Sequence, residues 1–123
     1  MNIPVLELFQ GADARLQARL VKSDQSVVTV AEVDSFTVKI YEGRQFRKNL
    51  SDVDVDDHFF DTLQVGNGWS RDATGYNFEY VVAGDDFVNE GGVTYRVEVD
   101  VLTDTEKVRA AWYLKYLPWA GIR

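Results

Sequence analysis

The residues best suited to chemistry in this chain are the acidic ones that precede its only histidine, His58. Asp52, Asp54 and Asp56 are spaced two residues apart, and Asp57 follows directly. This spacing matches the first three ligand positions of an EF-hand loop, in which oxygen ligands converge on one calcium ion. The segment therefore raises the question whether it binds a cation, takes part in catalysis or forms a charged strand edge.

The rest of the segment does not fit a calcium loop. The sixth position of such a loop requires glycine for its sharp turn, and here it is Asp57. The twelfth position requires a bidentate glutamate, and here it is Leu63. A loop at the end of a β-sandwich could still hold a cation through Asp52, Asp54, Asp56 and Asp57. The interpretation we favour is a charged strand edge, because charged side chains oppose edge-to-edge pairing of sheets.

Nucleophilic catalysis is not indicated either. His58 would need a serine and an aspartate placed beside it by the fold, and the sequence contains no Gly-x-Ser-x-Gly elbow. Carboxylate pairs are expected in any chain with 20 acidic residues, and no pattern here separates an acid from a base. The glycines fit turns rather than a phosphate-binding loop. We therefore predict no enzymatic activity, no catalytic residue, no metal and no cofactor.

Size and composition indicate one soluble domain made inside a cell. A chain of 123 residues can bury one core, so residues 1–123 are read as a single domain with a C-terminal tail at 118–123. The net charge of -7 repels phosphates and anionic lipids, which argues against nucleic acid and membranes as partners. No apolar run approaches the ~18 residues of a membrane span. Because the chain has no cysteine, its fold depends on packing alone.

Apolar and polar residues alternate with a period of two along most of the chain, which predicts β-strands. The clearest examples are the segments 76–82 and 95–101, each bounded by turn residues. About seven such strands, with turn signals roughly every 8–12 residues, predict an all-β fold of the immunoglobulin-like antiparallel β-sandwich type, with a small jelly roll or barrel as the alternative. Tyr95, at the start of the penultimate strand, suits the tyrosine-corner position of that fold.

Shorter signals refine this picture. Thr29 and Glu32 have the spacing of a capping box, which predicts one helical turn near residues 30–34. Asn67-Gly68 predicts a two-residue hairpin turn, with Trp69 beginning the return strand. The polar residues 43–52 read as a loop.

The last predicted strand, residues 107–117, differs from the others because both of its faces are apolar. Such a strand is either covered twice within its own domain or presents aromatic side chains to another chain. Interfaces favour Trp and Tyr as anchors, so we predict Trp112, Tyr113, Tyr116 and Trp119 as partner-binding residues. The competing interpretation is that Tyr116 and Trp119 fold back over the open end of the sandwich.

Four stretches resemble small immunoglobulin-like proteins and domains encoded among the virion structural genes of tailed bacteriophages. They are VAEVDSFTVKIYEG at 30–43, FDTLQ at 60–64, TGYNF at 74–78 and GGVTYRVEV at 91–99. The resemblance implies a non-enzymatic structural or accessory virion component, such as a capsid decoration protein or a neck, tail or baseplate piece. It also implies other virion proteins as partners, localisation in the virion after synthesis in the host cytoplasm, and an association of several copies as a further option. It carries over no functional residue.

Two other functions are compatible with the sequence. In a sugar-binding β-sandwich, Trp69, Tyr76 or Tyr113 would stack on pyranose rings, which requires an exposed coplanar row of aromatic side chains. A small hydrolase would use paired carboxylates held at different pKa values.

Overall fold

Two β-sheets packed face to face make up the computed structural model, which describes residues 3–50, 54–85 and 91–118. The larger sheet has the strand order β1-β8-β7-β3-β4 and the smaller one the order β2-β6-β5. In chain order the strands are β1 (Val5–Phe9), β2 (Ala14–Ala18), β3 (Val33–Glu42), β4 (Gln45–Leu50), β5 (Phe59–Gln64), β6 (Tyr76–Val82), β7 (Val93–Thr103) and β8 (Lys107–Leu117). The predicted all-β fold is confirmed, while the immunoglobulin-like assignment stays a prediction.

Strand pairing is antiparallel except at one edge of the larger sheet. There β1 runs parallel to β8, with Val5 opposite Tyr113 and Phe9 opposite Leu117. A purely antiparallel sandwich was expected, and local alternation carries no information about which distant strand becomes a neighbour or in which direction it runs. The parallel pair brings residues near the N-terminus beside the last strand.

The core lies between the sheets and is built from the inward side chains of alternating residues. Fully covered members include Leu16 of β2, Ile40 of β3, Phe78 of β6, Val97 of β7 and Leu114 of β8. Burying a side chain of this size stabilises the fold by about 1.5–3 kcal/mol. The alternation that predicted the strands is therefore the same alternation that fills the core.

A buried asparagine fixes the segment that follows β2. The side chain of Asn77 on β6 is fully covered, and its Oδ1 accepts a hydrogen bond from the Leu20 N–H at 2.7 Å. Its Nδ2 donates to the carbonyl of Leu20 at 3.0 Å and to that of Val28 at 2.8 Å. Since an unpaired buried polar group is costly, these bonds hold the two ends of the intervening loop against β6.

The predicted helical turn is confirmed as a 3-10 turn at Val30–Glu32. The Glu32 side chain accepts hydrogen bonds from the backbone N–H and the hydroxyl of Thr29, each at 3.0 Å. Lys22 forms an ion pair with the same carboxylate. The capping-box spacing therefore identified the turn correctly.

Two segments differ from their prediction. Residues 45–50 form strand β4 instead of a loop, because an edge strand with mostly exposed side chains needs no alternation of apolar residues. Trp69 does not begin a return strand: Asn67 and Gly68 do adopt positive φ, at 57° and 84°, but β6 begins only at Tyr76.

Candidate partner-binding surface

The last strand has a buried face and an outward face, and its predicted contact residues divide between them. Trp112 and Tyr116 point into the core, where their exposed fractions are 3% and 0%. The Trp112 ring lies 6.2 Å from that of Phe78 on the facing sheet, and the Tyr116 ring lies 5.9 Å from that of Tyr95. These contacts correct the sequence-based assignment: the two side chains are covered by the smaller sheet and its neighbours and leave no surface for a partner.

Tyr116 also holds the turn that follows β1. Its hydroxyl donates a hydrogen bond to the carbonyl of Ala12 at 3.3 Å. Burial, together with the nearby charge of Asp13, raises the pKa of the Tyr116 phenol, so the group stays protonated and remains a donor. Its role is therefore internal, as the folding-back interpretation required.

Tyr113 lies on the outward face and belongs to an apolar patch. It pairs across the parallel strands with Val5, which is 56% exposed, and Leu117 pairs in the same way with Phe9, which is 51% exposed. Tyr113 and Leu117 are themselves half-buried. We call these four residues the β1/β8 patch. Between its two apolar pairs, Glu7 stands opposite Lys115.

The predicted tail begins at one end of this patch. Strand β8 ends at Leu117, whose carbonyl accepts a hydrogen bond from the Gln10 N–H at 2.9 Å, and Pro118 follows. Proline cannot donate to a sheet ladder, which suits a strand end. The predicted contact residue Trp119 lies outside the described residues.

The middle of the same outer face is polar and internally paired. Arg109 bonds Asp100 at 2.7 Å and Glu98 at 3.2 Å, and Arg96 bonds Glu98 at 2.8 Å. Lys39 reaches Asp100 at 3.7 Å from the neighbouring strand. The bond to Asp100 raises the pKa of Arg109. This lattice of opposite charges contrasts with the β1/β8 patch, where apolar groups face solvent.

The described part of the aspartate stretch forms a turn instead of a strand. Residues Val55–Asp57 make a 3-10 turn, and the Asp54 side chain caps it by accepting a hydrogen bond from the Asp56 N–H at 3.0 Å. Asp52 lies outside the described residues. Across residues 3–50, 54–85 and 91–118, no three His, Asp or Glu side chains are grouped as metal ligands. The strand-edge interpretation is therefore wrong for residues 54–57, which form a turn that the Asp54 side chain caps.

His58 is a packing residue in this structure. Its ring lies 4.8 Å from that of Tyr80 and 5.7 Å from that of Phe36. Its Nδ1 lies 3.1 Å from the carbonyl oxygen of Glu79. The ring therefore ties the start of β5 to β6 and to the core.

The aromatic side chains considered for sugar stacking do not form one exposed row. Tyr76 is 1% exposed, and Trp69 packs on it at 5.4 Å with a 46° angle between the rings. The Trp69 Nε1 donates to Asp72 at 3.1 Å, while Tyr113 lies on the other sheet. The arrangement required for a pyranose platform is thus not made by these three residues.

A cleft of about 600 Å³ opens where β2 approaches the first half of β8. Its apolar wall includes Leu20, Val108 and Trp112, and its polar rim includes Arg71 and Arg96. Sequence reasoning did not find this cleft. Two features of the sequence point to it: the last strand is longer than the first, and Pro4 lies just before β1.

None of the helical segments in the described parts of the chain is long and apolar enough to cross a membrane. No family model, curated protein or solved structure gives a significant match to the chain.

Proposed function

We propose that this protein is a non-enzymatic structural or accessory component of a phage virion. It attaches to a larger protein assembly through the β1/β8 patch and the tail at 118–123. The observation that carries the proposal is the outward-facing apolar patch on an edge strand, with Val5 and Phe9 each more than half exposed. Exposed apolar groups that cluster in one place commonly mark protein contact sites.

The position of the patch supports a contact function because β1 is an edge of the larger sheet. Soluble proteins commonly protect an edge with charged side chains, and within β1 only Glu7 is charged. An edge that carries outward Val5 and Phe9 is thus poorly protected against association. Covering these half-exposed side chains would contribute about 1 kcal/mol each, from the usual transfer free energy of apolar surface.

The patch by itself is smaller than a stable interface. Four partly covered side chains offer well under the roughly 800 Å² that each partner buries in a standard complex. The contact must therefore extend beyond them, and the tail that starts beside Leu117 is the adjoining segment of chain. This is the physical reason for assigning the tail to the same interface.

Charge favours a basic partner. The chain carries 20 acidic and 13 basic side chains, and its net charge of -7 opposes association with other acidic surfaces. Complementary charge on the host particle would speed docking and would make its rate depend on salt. The virion assignment within this class of function comes from the resemblance of residues 30–43, 60–64, 74–78 and 91–99.

The first test is localisation. Antibodies against the purified protein should label intact phage particles at regular positions, and the protein should sediment with particles in a density gradient. Its presence only in the unassembled fraction of an infected-cell lysate would contradict the proposal.

The second test addresses the patch. Replacing Phe9 and Tyr113 together with serine should weaken binding to particles that lack the protein by about ten- to a hundredfold, since roughly 1.4 kcal/mol is a tenfold change. Leu102→Ser is the matched control, because Leu102 is 44% exposed on β7 of the same sheet but outside the patch. Equal binding by the double variant and the control would exclude the patch as the contact. A chain truncated after Leu117 tests the tail separately.

A further inference from the structure

Strand β8 is longer than β1, the strand that pairs with it on the side away from β7. It runs from Lys107 to Leu117 and pairs with β7 from Lys107 to Tyr116. On its other side β1 pairs only with Tyr113–Leu117. The half of β8 from Lys107 to Trp112 therefore has a strand neighbour on one side alone within the described residues.

The hydrogen-bonding groups on that open side can be identified from the alternation of the backbone. The Tyr113 N–H donates to the Pro4 carbonyl on the β1 side at 2.9 Å, whereas the Tyr116 carbonyl accepts a bond on the β7 side. Because the direction alternates along a strand, the N–H and C=O groups of Arg109 and Ala111 point away from β7. Pro4 has no N–H, so the ladder from β1 cannot continue to the Ala111 carbonyl.

These open groups lie in the cleft between β2 and β8. One wall is apolar and is formed by side chains at the edge of the core. The rim on the outer side carries four guanidinium groups against one carboxylate among its lining residues. The members used here are Leu20, Val108 and Trp112 for the wall, and Arg19, Arg71, Arg96, Arg109 and Glu98 for the rim.

Among the described residues, one of these arginines has no carboxylate partner. Arg19 pairs with Asp72 at 2.9 Å, and Arg96 and Arg109 belong to the ion-pair lattice of the outer face. Arg71 lies instead over the ring of Trp69, with its Cζ 5.7 Å from the ring centroid. No ion pair to Arg71 is formed within the described parts of the chain. Its charge is thus available at the mouth of the cleft, on a protein whose overall charge is -7.

We propose that this cleft binds an extended segment of a partner protein, which adds to the open edge of β8 as a further strand. The segment alternates apolar and acidic side chains, since successive side chains of a strand point to opposite faces. The apolar ones contact Val108 and the half-buried Ala110 on the wall of the cleft, and the acidic ones face Arg71 and Arg109. Strand addition of this kind takes affinity from backbone hydrogen bonds and specificity from the side-chain pockets.

The site shares no residue with the β1/β8 patch, so its test is independent of the proposed virion role. The probe is the peptide acetyl-Asp-Val-Asp-Val-Asp-Val-amide, compared with the peptide in which lysine replaces each aspartate. Titration of the full chain, followed by Trp fluorescence and by amide signals in NMR, should show saturable binding of the acidic peptide alone. The amides of Arg109 and Ala111 should gain protection from hydrogen exchange in the complex.

Two variants test the mode of binding. Ala111→Pro removes an N–H that β7 does not use, so the fold should persist by circular dichroism while peptide affinity falls at least about tenfold. Arg71→Glu should weaken the acidic peptide by about five- to tenfold at low salt and by less at high salt. Arg44→Glu is its matched control, because it changes the net charge equally at the turn between β3 and β4.

Several outcomes would overturn the proposal. One is failure of the acidic peptide to bind at about 1 mM, a concentration that corresponds as a Kd to about 4 kcal/mol. Another is equal binding of the two peptides. A third is binding of the acidic peptide that Ala111→Pro leaves unchanged. A homodimer in which the free protein already protects the amides of Arg109 and Ala111 would assign the edge to a second copy and would likewise refute a heterologous partner. In each of these cases the patch and its particle-binding test would be unaffected.

Discussion

Replacement of Asn77 by alanine should destabilise the protein more than any other single change of a polar side chain to alanine in the described part of the smaller sheet. The side chain is fully buried and makes three hydrogen bonds, at 2.7, 3.0 and 2.8 Å. Each contributes about 1 kcal/mol net, and removal leaves the Leu20 N–H and the Val28 C=O without this buried partner, while the Leu20 C=O keeps its bond from the Val28 N–H at 3.0 Å. We expect a loss of about 3–5 kcal/mol, which is a large share of the typical 5–15 kcal/mol stability of a domain.

Urea denaturation followed by Trp fluorescence measures this loss. With a slope of roughly 1.5 kcal/mol/M for a domain of this size, the midpoint should fall by about 2–3 M. Asn49→Ala is the matched control, because Asn49 is an exposed asparagine on edge strand β4 and should change stability by less than about 0.5 kcal/mol. A loss of less than about 1 kcal/mol for Asn77→Ala would show that water replaces the amide and that these hydrogen bonds do not hold the loop.

Asn77→Asp separates hydrogen bonding from volume. The introduced carboxyl keeps an acceptor for the Leu20 N–H but sets an oxygen against two carbonyls, so burial should raise its pKa above the unfolded value of about 3.9. The sign follows from linkage: the destabilisation is complete above the folded-state pKa and is relieved as the pH falls towards the unfolded value. The stability difference from wild type should therefore shrink on acidification, and a difference that grows instead would contradict the reasoning.

Two further substitutions have defined outcomes. The Arg19 guanidinium, with the Gly75 N–H and the Trp69 indole, holds the pKa of Asp72 well below its usual range. The stability that this carboxylate contributes is therefore complete above about pH 3.9 and is lost as the pH falls through the folded-state pKa. Asp72→Asn should lower the melting temperature at neutral pH and flatten its fall in acid, and melting curves parallel to wild type would argue against this. Gly75→Ala should lower the free energy of unfolding by at least about 2 kcal/mol, since φ is +105° and the new Cβ would lie 2.3 Å from the Gln64 carbonyl oxygen. Gly66→Ala, with open space around it, is the control in the same urea assay. Equal urea midpoints for the two variants would refute the clash.

The alternation of side chains along the sequence was sufficient to predict the long inner strands and the core. β7 was readable because apolar and polar residues alternate along it, and β8 because it is apolar on both faces and ends before Pro118. β4 was not readable, since an edge strand with mostly exposed side chains keeps polar residues on both faces. The pairing of β1 with β8 depends on contacts more than a hundred residues apart, which no local pattern encodes.

The candidate surface was half predictable for a related reason. Alternation places Tyr113 on the face opposite to Trp112 and Tyr116, so the sequence could show that the three do not share a surface. Which face is buried depends on the second sheet, and all of these side chains are apolar enough for either position. The cleft was hidden because the difference in length between β1 and β8 matters only once the two strands are known to be neighbours, and no local pattern encodes that pairing.

The two edges of the larger sheet differ in a way that gives association a direction. On β4 the edge carries Arg47 and Lys48 beside Phe46, which is 50% exposed and packs on Tyr41 at 5.6 Å, and Arg47 forms an ion pair with Glu42. The charged side chains oppose pairing at this edge. On the opposite side, β1 presents Val5 and Phe9, and within the described residues no strand pairs with the first half of β8 on the side away from β7. A partner that approaches the larger sheet therefore meets two basic side chains at the β4 edge and only one charged side chain, Glu7, along β1. Association through the β1 side alone would fix this protein on a larger body in one orientation, as the proposed attachment requires.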